Sequence, residues 1–217
     1  MVTGPELLAH LRRARILAIL RGTDRAATTA AGLALIEAGI TCLEVSLTGA
    51  DALETVGDLA RVAPKDAIIG VGTVTSPADA RRAQNAGGQF VVTPCLTDGI
   101  EEARSSGLPV IGGALTPTEI MEASRRCTAV KLFPASLGGP AYLTALRAPL
   151  PDVDIIPVGG IDVAAAATYL AAGALAVGIG SPLIGDAADG GSIADLQRRA
   201  RAFIAAASPE GGSDSTR

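Results

Sequence analysis

Short β-branched or aliphatic runs alternate along this chain with longer stretches that interleave alanines and charged residues, and the alternation repeats eight times. The apolar runs are Ile16–Leu20, Thr41–Ser46, Ala67–Val71, Gln89–Val92, Pro109–Ile111, Ala129–Phe133, Asp154–Val158 and Ala174–Gly178. They are too short for helices and read as buried strands. The stretches that follow them, Arg25–Ala38, Ala50–Val62, Pro77–Ala86, Asp98–Ser106, Pro117–Arg126, Gly139–Arg147, Val163–Ala172 and Ile193–Ala207, have helical length and spacing. Hydroxyls precede a proline at Ser76-Pro77 and Thr116-Pro117, as at helix N-termini. Gly39, Gly87, Gly107 and Gly173 stand where helices should end in a left-handed residue. Repeated strand–helix units predict a parallel sheet, because each crossover needs a helix. Eight of them close a barrel. An open doubly wound sheet is the competing architecture, but no G-x-G-x-x-G follows the first strand. The pattern therefore predicts an α/β chain, a single-domain (β/α)8 TIM barrel over residues 1–207. A Gly/Ser-rich C-terminal tail, 208–217, is expected to be disordered.

Composition narrows the chemistry. The 217 residues suit one domain, and 48% are hydrophobic while only 2% are aromatic. Small aliphatic residues must then fill the interior, which favours helix-on-sheet packing over a sandwich of large rings. A net charge of −4 with no basic run argues against a nucleic-acid or anionic-membrane surface. The N-terminus lacks a signal-peptide pattern, and no uninterrupted apolar stretch reaches about 18 residues, so a cytoplasmic protein is expected. Cys42, Cys95 and Cys127 show no ligand spacing and read as reduced, partly buried thiols. The single histidine, His10, lies in an N-terminal amphipathic stretch. Zinc sites and Ser-His-Asp sites both lose support, and no metal or other cofactor is predicted.

Lysine usage is the sharpest signal. Lys and Arg together number 18, yet only Lys65 and Lys131 are lysines. Lys65 sits in a polar Pro-Lys-Asp turn and reads as a solvated charge. Lys131 sits in the apolar run Ala129–Phe133. Arginine stays protonated near neutral pH, whereas a desolvated lysine can give up its proton. Lys131 is thus a candidate for amine chemistry, against the alternative of a packed stem with its head reaching water.

In such a barrel, chemistry sits at the C-terminal ends of the strands. Arg21, Glu44, Thr73, Pro94, Lys131, Gly159-Gly160 and Gly180-Ser181 fall there. Glu44, between Leu43 and Val45, reads either as a general acid/base or as half of a buried ion pair with Arg21 or Lys131. The two glycine motifs suit an anion after strands seven and eight, with Gly180-Ser181 opening a short helix toward the mouth. Together these parts suggest that Lys131 condenses with a ketone to an imine that accepts electrons from a breaking carbon–carbon bond. Glu44 would move protons, while Thr73 and Arg21 would hold a carboxylate or phosphate. Another phosphate-binding barrel enzyme, or a barrel that only binds a phosphorylated ligand, remain competing readings.

The motifs Ile-Leu-Arg-Gly (19–22), Leu-Glu-Val (43–45), Gly-Val-Gly-Thr-Val (70–74), Val-Thr-Pro (92–94), Lys-Leu-Phe-Pro-Ala (131–135), Pro-Val-Gly-Gly-Ile (157–161) and Gly-Ser (180–181) stand in this order. From about Leu17 to Leu183 the chain resembles the 2-keto-3-deoxy-6-phosphogluconate / 4-hydroxy-2-oxoglutarate aldolases. That resemblance implies a cofactor-free class I aldolase, usually a homotrimer, in Entner–Doudoroff-type carbohydrate metabolism. It would cleave a small 2-keto acid sugar phosphate, 2-keto-3-deoxy-6-phosphogluconate, to pyruvate and glyceraldehyde 3-phosphate. It also implies Lys131 as the Schiff-base lysine and Glu44 as the proton-transferring glutamate. Thr73 would help hold the pyruvate carboxylate, with Pro94 and Phe133 as substrate-facing neighbours. Gly159, Gly160, Gly180 and Ser181 would form the phosphate site. One position departs: gluconate-type members often carry an arginine four residues after the glutamate, and here it is Thr48. The first motif and the Lys-Leu-Phe-Pro stretch are similar to the 6-phosphogalactonate branch as well, in which the counterpart of Arg21 helps bind substrate. The sugar epimer therefore stays open.

Overall fold

The computed structural model of the chain describes residues 2–208. The tail predicted at 208–217 falls outside them except for Ser208, which ends the last helix. Eight strands form one parallel sheet: β1 (Ile16–Leu20), β2 (Cys42–Ser46), β3 (Ile68–Gly72), β4 (Val91–Val92), β5 (Val110–Ala114), β6 (Ala129–Leu132), β7 (Ile155–Pro157) and β8 (Val177–Ile179). Their order is β7-β6-β5-β4-β3-β2-β1-β8. A further parallel bridge, Val158 to Gly178, joins the two outermost strands and brings the sheet close to full closure. The helices are α1 (Gly4–Ala14), α2 (Arg25–Glu37), α3 (Ala52–Val62), α4 (Pro77–Asn85), α5 (Gly99–Ser105), α6 (Pro117–Arg126), α7 (Gly139–Arg147), α8 (Val163–Ala171), α9 (Ser181–Ile184) and α10 (Ile193–Ala207). Single domain and barrel agree with the sequence pattern.

The local punctuation acts as its chemistry dictates. Ser76 and Thr116 each accept from the backbone N–H three residues on, while Asp79 and Glu119 reach back to the cap. Gly39, Gly87, Gly107 and Gly173 all have positive φ, between 79° and 102°. Two elements depart from the pattern. β5 runs past the expected end at Ile111, through Gly112-Gly113 to Ala114; Gly113 pairs with Lys131, and a Cβ there would lie 2.2 Å from the Pro94 carbonyl. β8 begins at Val177 rather than Ala174, because Ala174 N–H still closes the end of α8 on Tyr169 O.

Strand alternation divides the core. Ile16, Ala18 and Leu20 face outward into the layer between sheet and helices. Leu17, Cys42, Ile68, Phe90, Val92, Ile111, Ala129 and Ile156 face the barrel axis. Leu7 and Leu11 of α1, fully buried, join this inner cluster. α1 therefore stoppers the N-terminal end of the barrel, a helix that the strand-and-helix count omits.

Candidate active site

Continuing the inward positions toward the C-terminal ends changes their chemistry. Ile19 is followed by Arg21, Cys42 by Glu44 and Ser46, Ile68 by Gly70 and Gly72, and Ala129 by Lys131 and Phe133. Arg21, Glu44, Thr73, Pro94, Lys131, Phe133, Gly159, Gly160, Gly180 and Ser181 all line one cleft of about 330 Å³ at this end. Every residue assigned to the site from the sequence thus lines this cleft. Ile19, Val158, Gly178 and Pro182 also form part of the wall. Spacing alone does not mark them, since apolar and glycine residues at a strand end look like core or turn.

Lys131 and Glu44 approach each other across the barrel from β6 and β2. Both are buried, and Lys131 Nζ lies 3.8 Å from Glu44 Oε1. That is ion-pair range but too long for a hydrogen bond. Glu44 Oε2 is buried without a hydrogen-bond partner among the described residues. A buried carboxylate oxygen in that state is costly. Space for the carboxylate comes from Gly72, where a Cβ would stand 1.9 Å from Oε1. The Phe133 ring centroid lies 5.3 Å from Nζ, so an aromatic face borders the amine.

The rim carries the polar donors. Thr73 has φ +62°, a left-handed conformation that β-branched residues seldom adopt. Its hydroxyl lies 2.9 Å from Ser46 Oγ. Arg21 is exposed at the mouth. The loop after it is pinned by Asp189, which accepts from Thr23 N–H at 2.6 Å and from Thr23 Oγ1 at 2.7 Å; these hydrogen bonds hold the Asp189 carboxyl below its usual range. Gly159 and Gly160 both have positive φ, 103° and 71°, so the backbone there suits glycine alone. Gly180-Ser181 does open a short helix, α9, as the sequence predicts. Its free donors are fewer than expected: Pro182 has no N–H, and Leu183 and Ile184 donate to Gly180 O. Arg199 donates to the carbonyls of Leu183 and Ile184 at 2.7 and 2.8 Å, holding the far end of this single turn.

The remaining candidates lie apart. Lys65 is exposed, and His10 sits on α1 at the opposite end of the barrel. The thiols are less uniform than predicted. Cys42 is buried and its thiol is pushed far up by desolvation, whereas Cys127 is half-buried and pushed up to about 11. Cys95 is exposed, because it lies on the loop after β4 rather than in a packed element. Among the described residues, no group of three or more His, Cys, Asp and Glu side chains is arranged to hold a metal ion.

The sequence profile described as "Aldolase: KDPG and KHG aldolase" matches residues 7–197. This chain belongs to the KDPG and KHG aldolase family. Its similarity to curated aldolases spans most of their length. It is 36% identical over 194 residues to a probable 2-dehydro-3-deoxy-6-phosphogalactonate aldolase of Rhizobium meliloti, covering 88% of this chain and 90% of the relative. It is 39% identical over 163 residues to the 2-dehydro-3-deoxy-phosphogluconate aldolase of Pseudomonas aeruginosa, covering 74% of each. The fold also matches a KDPG aldolase from Legionella pneumophila, solved with pyruvate captured as a covalent carbinolamine, at TM-score 0.78 and 25% identity over 92% of this chain and 95% of that one. This aldolase family member therefore carries its buried lysine, its buried glutamate and its glycine loops in one cleft.

Proposed function

We propose that the protein cleaves 2-keto-3-deoxy-6-phosphogluconate to pyruvate and glyceraldehyde 3-phosphate by imine catalysis on Lys131. The observation that carries this reading is the buried Lys131 amine, 3.8 Å from the buried Glu44 carboxylate at the mouth of the barrel. Lys131 Nζ adds to the substrate C2 carbonyl, and loss of water from the carbinolamine gives an iminium. Glu44 takes the proton of the C4 hydroxyl, directly or through water. The C3–C4 pair then flows into the iminium, releasing the aldehyde and leaving an enamine. Protonation at C3 and hydrolysis return pyruvate and the free amine. Thr73 holds the carboxylate, Arg21 supports the anionic substrate at the rim, and Pro94 and Phe133 bound the carbon chain. Gly159, Gly160, Gly180 and Ser181 take the phosphate through their backbone and the Ser181 hydroxyl.

Borohydride reduction in the presence of pyruvate tests the proposal. A stable adduct on a peptide containing Lys131 is expected; no adduct in folded protein would discard the imine. The second reading, cleavage of 2-keto-3-deoxy-6-phosphogalactonate, is favoured by Thr48 and by the extended similarity to the Rhizobium meliloti relative. Pyruvate release from both epimers and from 4-hydroxy-2-oxoglutarate separates the readings. The proposal includes the homotrimer and the Entner–Doudoroff-type role that the resemblance implies, and the cytoplasmic setting expected from the sequence pattern. No helix among the described residues is long and apolar enough to cross a membrane. Sedimentation of the purified protein tests the trimer.

A further inference from the structure

Ser46 is the last residue of β2, two places beyond Glu44, and so points the same way into the barrel mouth. It is fully buried and does not itself line the cleft. Its Oγ lies 2.9 Å from Thr73 Oγ1 on one side and 2.9 Å from Thr48 Oγ1 on the other, and it also accepts from Thr48 N–H at 3.4 Å. Thr73 does line the cleft, at φ +62°. A β-branched residue in that region persists only where its surroundings hold it. Among the described residues the one side-chain hydrogen bond made by Thr73 is with Ser46.

Three hydroxyls in a row carry one proton each, and the row can run in either direction. If Thr73 donates to Ser46, it offers the cleft only lone pairs and opposes an anion. If Thr48 donates to Ser46 and Ser46 to Thr73, the Thr73 proton is left for the cleft. A carboxylate there receives a charge-assisted hydrogen bond, so an anionic ligand selects the second direction. Thr48 is exposed and completes the row on the solvent side.

We infer that Ser46 is a positioning residue for the substrate carboxylate. It holds Thr73 in its left-handed conformation and donates to the Thr73 hydroxyl, which leaves that hydroxyl free to donate to the carboxylate of the 2-keto acid. The inference rests on the reading of Lys131 as the imine-forming lysine and Thr73 as a carboxylate ligand. Steady-state cleavage by Ser46→Ala, Ser46→Thr, Thr73→Val and the Ser46→Ala/Thr73→Val double variant tests it. Ser46→Ala should raise KM by about tenfold, because Thr73 loses the contact that aims its hydroxyl at the carboxylate, with kcat within about threefold. Ser46→Thr should restore KM. In the Thr73→Val background, Ser46→Ala should add less than about twofold, because its effect acts through a hydroxyl already removed. Multiplying losses, a fall in kcat at unchanged KM, or failed rescue by threonine would each overturn the inference. Should Ser46→Ala not fold, the exposed Thr48→Val removes the first donor of the row. It should raise KM about twofold with Thr73 present and not in Thr73→Val; an equal rise in both would overturn the inference. Borohydride labelling against pyruvate concentration separates the two levels. No label in the wild type removes the lysine reading along with this one. A labelled wild type whose pyruvate dependence is the same in Ser46→Ala removes the Ser46 inference alone.

Discussion

At the N-terminal end of the barrel the inward positions carry Leu17, Cys42, Ile68, Phe90 and Ala129, and α1 lays Leu7 and Leu11 across them. At the other end the same strands carry Arg21, Glu44, Gly72 and Lys131. One end is filled to exclude water, and the side chains of its inner cluster are apolar. The other is held open by glycines so that two long ionisable side chains can meet. Gly70 makes the division visible: a Cβ there would strike the Phe90 ring at 2.4 Å, so the largest floor residue rises directly beneath the space around Glu44. A lysine and a glutamate are costly to bury, and the mouth tolerates them because they share a polar cleft above a dry floor.

The largest effect should come from the mouth. Lys131→Arg keeps a charge at that position yet cannot form an imine, so cleavage should fall by at least about 10³-fold while the thermal midpoint stays near that of the wild type. Assay of pyruvate release checks this, and substantial residual activity would contradict it. Next is Gly72→Ala. The added Cβ must displace Glu44, whose Oε1 stands 1.9 Å from it. A carboxylate moved by about an ångström should cost about 10²-fold in kcat/KM. Full activity in this variant would mean that the position of Glu44 does not matter.

Breaking the floor should read out differently. Leu11→Ala removes a fully buried side chain from the plug and should lower unfolding free energy by about 2–3 kcal/mol, with kcat and KM nearly unchanged at 25 °C. Denaturant titration beside steady-state kinetics checks it; a kinetic loss as large as that of Gly72→Ala would show the two ends to be coupled.

The smallest effect concerns His10, buried on the floor side of α1. Burial, then the nearby Arg13, holds its imidazole below the ordinary range, while the backbone of Thr41 and the Asp66 carboxylate pull the other way. Glu6 and Lys65 face the same depression. Above about pH 6.5 the ring is neutral in both folded and unfolded chains. As pH falls through that value the unfolded chain takes up the proton first, so stability is lost on acidification. His10→Gln should flatten this component of the pH dependence between pH 8 and 5.5, measured as thermal midpoints. An unchanged slope would place the acid sensitivity elsewhere.

The division between the two ends was only half legible in the chain. Eight βα units, their caps and the apolar setting of Lys131 follow from local pattern, because strand alternation, N-cap hydroxyls and left-handed glycines act within a few residues of themselves. Glu44, Thr73 and the two glycine motifs were identifiable because strand ends in such a barrel have a known place. The α1 plug was not, since an amphipathic stretch does not reveal which surface its apolar face covers. Nor was Ser46, an ordinary strand residue until Thr73 folds back over it. Nor was the far end of β5, which the apolar run closes at Ile111 and which pairing with β6 carries through Gly112-Gly113 to Ala114.

By itself, the amino-acid order determined the repeating units, their parallel pairing and which side chains point toward the axis. Tertiary structure alone decided that Lys131 and Glu44, 87 positions apart, stand 3.8 Å from each other, and that Gly72 leaves room for the carboxylate. The reason is physical: periodicity fixes direction within one element, whereas distance across the barrel depends on closure of the sheet and on the volume of every residue between.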